Sequence, residues 1–108
     1  WGHLPIVLVL LQHSANPDLQ DFDGDNALMR AANQGHEACV KALLRAKANP
    51  ELLDKYGRTA LMWAAGTGQE ACVKALLRAK ANTELLDNDG RTALQCAEIQ
   101  GHTATAQL

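Results

Sequence analysis

The chain has 108 residues, of which 47% are apolar and only 4% aromatic, so alanine and leucine must form most of any core. Ten Lys and Arg against twelve Asp and Glu give a net charge of -2, which argues against a nucleic-acid or anionic-membrane partner. No apolar run approaches the roughly 20 residues of a membrane-spanning helix. Three cysteines without a CxxC motif suit a reducing, intracellular compartment.

The sequence repeats itself with a period of 33 residues. Between residues 21–53 and 54–86, 24 of 33 positions are identical, and the segment 37–49 recurs unchanged as 70–82. Such a period is the signature of a repeat array, whose units are stable only when stacked on their neighbours. We therefore predict one repeat domain made of a partial unit 1–20, complete units 21–53 and 54–86, and a partial unit 87–108.

The first partial unit contains the longest apolar run, at residues 4–11. This run could be the core of a signal peptide, but no initiating Met or basic leader precedes it and no small-residue cleavage site follows closely. It occupies the positions that residues 37–44 occupy in the next unit, so we expect a helix instead. Since both termini fall inside a repeat, we expect the chain to be part of a longer array.

Leu8 is the unusual residue of this first helix, because the equivalent positions in later units hold Lys41 and Lys74. The pattern predicts an exposed apolar residue on the outer face. Together with the open helix end at Trp1, it suggests self-association or burial against further sequence.

Each complete unit reads as turn, helix, turn, helix. In the third unit, residues 54–57 form a turn signal and Thr59 is a plausible N-cap for a short helix at 60–65. The sequence Gly66-Thr67-Gly68 ends that helix. A second helix is predicted from about residue 69 to residue 79, with an apolar face and the charge order that a helix dipole prefers.

Residues 54–69 read Asp-x-x-Gly-x-Thr-Ala-Leu-x-x-Ala-Ala-x-x-Gly-Gln, followed by a Val-x-x-Leu-Leu helix and Ala81-Asn82. This pattern resembles the ankyrin repeat, and the resemblance extends over the whole chain. It implies an all-α repeat solenoid, an L-shaped stack of helix–turn–helix units with β-hairpin or turn fingers. The fingers and first helices would line a concave groove. The resemblance also implies a protein–protein interaction scaffold without catalysis or cofactor.

The chain departs from the usual ankyrin pattern at two places in each unit. Where the family commonly has Thr-Pro-Leu-His, the Pro and the His are absent each time. Where the family usually ends its second helix with Gly, this chain has Ser14, Lys47 and Lys80. If that position is left-handed, each non-Gly residue costs on the order of 1 kcal/mol.

The two complete units differ at nine positions, and seven of these lie on the turn tip, on the first helix or just after it. Duplicated units retain what stacking requires, so the divergent face is the predicted groove. It supplies the candidate partner-binding residues: Phe22, Asp23, Asp25, Arg30, Asn33, Gln34, Lys55, Tyr56, Arg58, Trp63, Thr67, Asn88, Asp89, Arg91 and Gln100.

Charge changes along this face, from Asp21, Asp23 and Asp25 in the second unit to Lys55 and Arg58 in the third. We expect a partner with charges in the opposite order to dock in one register.

Phe22 and Tyr56 lie on adjacent turn tips, and aromatic side chains are frequent anchors of protein interfaces. The alternative is that exposed tips vary neutrally. For Trp63, beside Ala64 and Ala65, the alternative is packing between units.

The basic residues shared by the second helices predict a solvated outer face, with an acidic partner as the alternative. They are Lys41, Arg45, Lys47, Lys74, Arg78 and Lys80.

Other chemistry finds little support in the sequence. The Asp-x-Asp spacing at residues 21–25 and 87–89 resembles the start of a calcium loop, but Asn26 and Thr92 replace its sharp-turn glycine. Cys39 and Cys72 lie one unit apart, too far for a disulfide, and no cysteine has a His at metal-ligand spacing. Two other roles remain open: a structural spacer, or the targeting segment of a larger protein or enzyme.

Overall fold

The computed structural model describes Gln20, residues 22–102 and Thr105. Within this part of the chain there are five helices and no β-strand: α1 (Ala27–Gln34), α2 (Glu37–Arg45), α3 (Ala60–Gly66), α4 (Glu70–Arg78) and α5 (Ala93–Ile99). The predicted succession of turn, helix, turn, helix is confirmed, and each boundary predicted in the third unit is correct to within one residue. The predictions for Trp1, Leu8, Ser14, Asp21 and the run 4–11 lie outside the described residues.

The helices form two layers. The inner layer is the row α1, α3, α5, in which α3 packs against both of its neighbours. The outer layer is α2 beside α4, and each contacts the inner helix of its own unit. The inner face, formed by the first helices and the turns before them, is therefore one continuous surface.

Each inner helix begins at a polar N-cap side chain. Asn26, Thr59 and Thr92 each accept a hydrogen bond from the backbone N–H three residues later, at 2.9, 3.3 and 3.3 Å. Gln95 completes a capping box on α5, because its Oε1 accepts from the backbone N–H of Thr92 at 3.0 Å. The cap predicted at Thr59 is confirmed, and it satisfies an N–H group that the helix itself leaves unpaired.

The outer helices end in the left-handed conformation that the sequence comparison singled out. Lys47 has φ 66° and Lys80 has φ 62°. The residue after each closes the helix end, since Ala48 N donates to Leu43 O at 2.9 Å and Ala81 N to Leu76 O at 3.1 Å. Both lysines therefore occupy a conformation that strains an L-residue with a Cβ.

The core lies between the layers and is built mainly of Leu and Ala, as the composition predicts. Leu28, Leu61 and Leu76 are almost fully buried, and small side chains such as Ala64 let the helices approach closely. Ala71, in contrast, is exposed on the solvent side of α4.

Candidate functional site

The turn tips, residues 22–25, 55–58 and 88–91, are called fingers below. Two buried aspartates, Asp54 and Asp87, shape the fingers of the third and fourth units. Asp54 Oδ1 accepts hydrogen bonds from the backbone N–H groups of Tyr56 and Arg58, both at 2.9 Å. Asp87 Oδ1 accepts the equivalent two bonds in its own finger, again at 2.9 Å. The spacing of Asp87 and Asp89, which resembles the start of a calcium loop, thus belongs to a turn that the Asp87 carboxylate stabilises.

Neighbouring fingers are joined through their backbones. Lys55 N donates to Asp23 O at 2.8 Å, and Asn88 N donates to Tyr56 O at 2.9 Å. The close approach depends on Gly24, which has φ 77° and where a Cβ would lie 2.8 Å from a backbone atom of the next unit. The fingers therefore form a ridge of linked turns along the inner face.

Opposite charges on this ridge pair with each other. Lys55 Nζ lies 2.9 Å from Asp23 Oδ1, and this hydrogen bond raises the pKa of Lys55. Arg58 Nε lies 3.8 Å from Asp87 Oδ2. Some of the charged side chains that make the second unit acidic and the third basic are thus paired with each other within the chain. Docking of a partner by the order of these charges stays a prediction.

Arg58 is held against two aromatic rings. Its guanidinium carbon lies 5.1 Å from the ring centre of Tyr56 and 5.3 Å from that of Trp63, within the range of cation–π attraction. Trp63 is fixed in turn, because its Nε1 donates to Asp54 Oδ2 at 2.9 Å. The Trp63 ring is half-buried against the core, so it serves both packing and the inner surface.

A pocket of about 280 Å³ opens on the inner face between α3 and α5, and is called the inner pocket. Five predicted residues line it: Arg58, Trp63, Thr67, Arg91 and Gln100. Five residues that sequence reasoning missed also line it: Met62, Gly66, Asp87, Cys96 and Ile99.

Asp87 and Cys96 lie in the wall of the inner pocket. The side chain of Asp87 is only 1% exposed, and its Oδ2 lies 3.9 Å from Cys96 Sγ. Cys96 occupies the position that Trp63 holds in the preceding unit. There, Trp63 Nε1 donates a hydrogen bond to Asp54 at the much shorter distance of 2.9 Å. Burial, and then the charge of Asp87, raises the pKa of the Cys96 thiol. At neutral pH this thiol is therefore protonated and acts only as a weak donor.

Gly66 and Ile99 occupy one equivalent position, which Asn33 holds in the second unit. The missing side chain at Gly66 leaves the pocket open beside Trp63, and Ile99 is a half-exposed apolar wall. A comparison of all three units at this position, rather than of two, would have found Ile99.

The family comparison agrees with this geometry. A profile of the family described as ankyrin repeats (3 copies) matches residues 1–87 and 28–108, which together include the whole chain. The chain belongs to the ankyrin-repeat family. No curated protein matches it. Ankyrin repeats are generally protein–protein interaction modules and are typically non-catalytic.

The remaining candidates lie elsewhere on the ankyrin stack. In the second unit, Phe22 is fully exposed, Arg30 and Asn33 are half-buried, and Gln34 Oε1 lies 3.1 Å from His36 Nε2. None of these lines the inner pocket. Asp25 is half-buried, and Asn88 and Asp89 are exposed on their fingers. Of the predicted set, the inner pocket thus gathers only residues of the third and fourth units.

The outer face of the ankyrin stack carries the shared basic residues. Lys41 is half-buried and forms an ion pair of 2.8 Å with Glu37, one helical turn away. Arg45, Lys74 and Arg78 are exposed on the same face. This placement fits the solvated outer face that the sequence predicts.

Three further features of the described residues bear on function. No helix among them is long and apolar enough to cross a membrane. No group of three or more His, Cys, Asp or Glu side chains among them could hold a metal ion. Cys39, Cys72 and Cys96 are free thiols, and the first two are buried in the core.

Proposed function

We propose that this ankyrin stack binds a segment of a partner protein through its inner face, with the inner pocket as the anchor. The supporting observation is the convergence of five residues, chosen for their divergence between units, around one cavity of about 280 Å³. Tryptophan and arginine dominate that set, and these residues carry much of the binding energy at protein interfaces.

Three side chains of the inner pocket, those of Trp63, Thr67 and Arg58, are held in place before any partner arrives. Trp63 is fixed by its bond to Asp54, and Thr67 Oγ1 donates to Trp63 O at 2.7 Å. Arg58 is stacked on two rings. Little rotamer freedom is therefore left to lose on association, and each immobilised side chain otherwise costs about 0.5–1.5 kcal/mol.

The three cysteines of the chain are free. Free thiols persist in a reducing environment, so the proposed partner is an intracellular protein.

The test is selection of random 12-residue peptides, displayed on phage, against the purified protein. Selected clones are then measured on two double variants with matched numbers of changes. Arg91→Ala with Gln100→Ala alters the rim of the inner pocket, and Arg45→Ala with Arg78→Ala alters the outer face. Arg91 is half-buried and the other three residues are exposed, so each double variant should change the free energy of unfolding by less than about 1 kcal/mol, because single surface changes rarely exceed 0.5 kcal/mol.

We expect the rim variant to lose at least about tenfold in affinity for the selected clones, which corresponds to 1.4 kcal/mol. The outer-face variant should bind them normally. Clones that bind both variants as well as wild type would refute binding at the inner face. A double change of Tyr56 and Arg58 is a poorer test, because Arg58 also lies 3.8 Å from the buried Asp87.

An alternative role is self-association, or service as a spacer in a longer protein. Lys41 and Lys74 lie on the outer face, and the equivalent position in the first unit is Leu8, which lies outside the described residues. An apolar residue there favours contact with another surface. Light scattering over a concentration series tests self-association, and a strict monomer at high concentration would exclude it.

A further inference from the structure

The inner pocket owes its space to the absence of a side chain at Gly66. This residue ends α3 without a positive φ, so its backbone does not require glycine. A Cβ added there would meet Cys96 Cβ at 3.9 Å, which is ordinary van der Waals contact. Glycine at this position leaves room for a ligand side chain beside the Trp63 ring.

Three apolar side chains of the pocket lining border this room. The Trp63 ring and Met62 lie on α3, and Ile99 faces them from α5 with 55% of its surface exposed. Covering an exposed aliphatic side chain beside an aromatic ring favours association through removal of apolar area from water. The first requirement on a ligand is therefore one large apolar side chain.

Two guanidinium groups stand at the rim of the same pocket. Arg58 Nε lies 3.8 Å from the nearest carboxylate oxygen, that of Asp87, and Arg91 Nη1 lies 4.0 Å from Asp89 Oδ2. Charge-assisted hydrogen bonds are much shorter, about 2.7–2.9 Å. The side chains of Arg58 and Arg91 are 29% and 43% exposed, so both groups can still receive a carboxylate.

The carboxylates near the pocket are poorly placed to attract a cationic ligand. Asp87 is 1% exposed and its Oδ1 already accepts two bonds within its own finger. Asp89 is 62% exposed on the solvated finger, outside the pocket lining. The accessible charge of the inner pocket is thus positive.

We infer that the inner pocket selects a partner segment in which a large apolar side chain stands next to an Asp or Glu. The apolar side chain fills the space left at Gly66, and the carboxylate bonds to Arg91 and to the exposed edge of Arg58. This inference rests on the proposed function and adds the chemistry of the partner to it.

The experiment uses peptides taken from the selected clones and synthesised with amidated C-termini, so that any carboxylate belongs to a side chain. Each is compared with its Asp→Asn or Glu→Gln version by fluorescence anisotropy, at low and at moderate salt. We expect loss of the acid to weaken binding to wild type at least about tenfold, and salt to weaken the acidic peptide more than the amide.

Two variants assign the effect to named residues. On Arg91→Ala, the acid and amide peptides should bind with affinities that differ less than threefold, because most of their difference depends on that guanidinium and Arg58 offers only one exposed edge. Gly66→Asn, which introduces the residue found at position 33, should weaken both peptides about tenfold or more by filling the pocket. Arg45→Ala on the outer face is the control and should change neither peptide.

The outcomes separate the two proposals. Clones that depend on the rim residues but tolerate loss of the acid, or that are enriched in Lys and Arg, would overturn this inference and leave inner-face binding intact. Selection of clones that ignore the rim residues would overturn the proposed function, and this inference with it. An unchanged affinity for Gly66→Asn would overturn the location of the apolar side chain.

Discussion

The outer and inner layers of the stack differ in how closely their sequences repeat from unit to unit. The outer helices α2 and α4 have the same nine-residue sequence, the same backbone at the preceding residue (φ -84°, ψ 79° and φ -86°, ψ 79°), and the same left-handed residue after them. The inner helices have similar lengths but carry different side chains on the inner face. Sequence identity marks the scaffold, and sequence divergence marks the surface where the inner pocket forms.

Position 63 and its equivalent in the next unit, position 96, differ in how their side chains contact the aspartate of the finger. In the third unit, Trp63 Nε1 donates a hydrogen bond to Asp54 Oδ2 at 2.9 Å. In the fourth unit, Cys96 takes the same place and approaches Asp87 only to 3.9 Å. The shorter side chain of Cys96 lines the inner pocket beside Gly66, and the finger keeps its two hydrogen bonds to Asp87.

The largest loss of stability should come from a substitution in the scaffold. Leu76 on α4 is fully buried, so Leu76→Ala should lower the free energy of unfolding by about 2–5 kcal/mol. Urea denaturation followed by circular dichroism measures it. Arg91→Ala, on the inner face, should change the same quantity by less than about 0.5 kcal/mol. Equal losses in the two variants would refute the division into scaffold and binding surface.

The next largest effect should separate the two finger aspartates. Asp54→Ala removes the acceptor of three hydrogen bonds and should cost about 2–3 kcal/mol of unfolding free energy. Asp87→Ala loses the two finger bonds, a weak thiol contact and a long ion pair of 3.8 Å with Arg58, so it should cost about 1 kcal/mol less.

Thermal and urea unfolding of these two variants give the comparison. Trp63→Phe is the control, because it keeps an aromatic ring and removes the indole N–H together with the five-membered ring that carries it. The unfolding free energy lost in Trp63→Phe should account for most of the difference between Asp54→Ala and Asp87→Ala. A greater loss in Asp87→Ala would contradict the hydrogen-bond account of the two fingers.

A smaller effect should appear at high pH in the core between the layers. Burial, followed by the charge of Glu37 and the neighbouring Cys39, raises the pKa of the Cys72 thiol from 9.0 to about 11. The folded state therefore favours the protonated thiol. Its contribution is complete below pH 9 and is lost as the pH rises toward 11, up to about 2–3 kcal/mol at 1.36 kcal/mol per pKa unit.

The measurement is the unfolding free energy of wild type and Cys72→Ala between pH 8 and pH 11. Wild type should lose stability more steeply above pH 9, because only it has to ionise this buried thiol. Other groups titrate in both proteins and cancel in the difference. Parallel curves would show that the thiol does not control stability in this range.

The repeat period, the helices and the caps could be predicted because they arise from local requirements that each unit meets with the same residues. Thr59 is an example, since an N-cap needs only a short polar side chain before an apolar helix. The inner pocket could not be predicted in full, because it depends on side chains that meet only across units. The contact of Arg58 with Asp87 joins neighbouring fingers, and Gly66 matters only because Ile99 faces it from the next helix.

The smallest effect should come from the two helix ends that the sequence comparison marked as strained. Lys47 and Lys80 both have positive φ, at 66° and 62°. Glycine has no Cβ to strain, so Lys47→Gly and Lys80→Gly should each raise the unfolding free energy by on the order of 1 kcal/mol, less the greater freedom glycine has in the unfolded chain.

Lys47→Ala is the matched control, because it removes the charge and keeps the Cβ. If the alanine variant gains as much as the glycine variant, charge rather than backbone strain is the cause. If the two glycine variants gain equally and their effects add, the two helix ends behave as independent copies of one scaffold, as their identical helices predict.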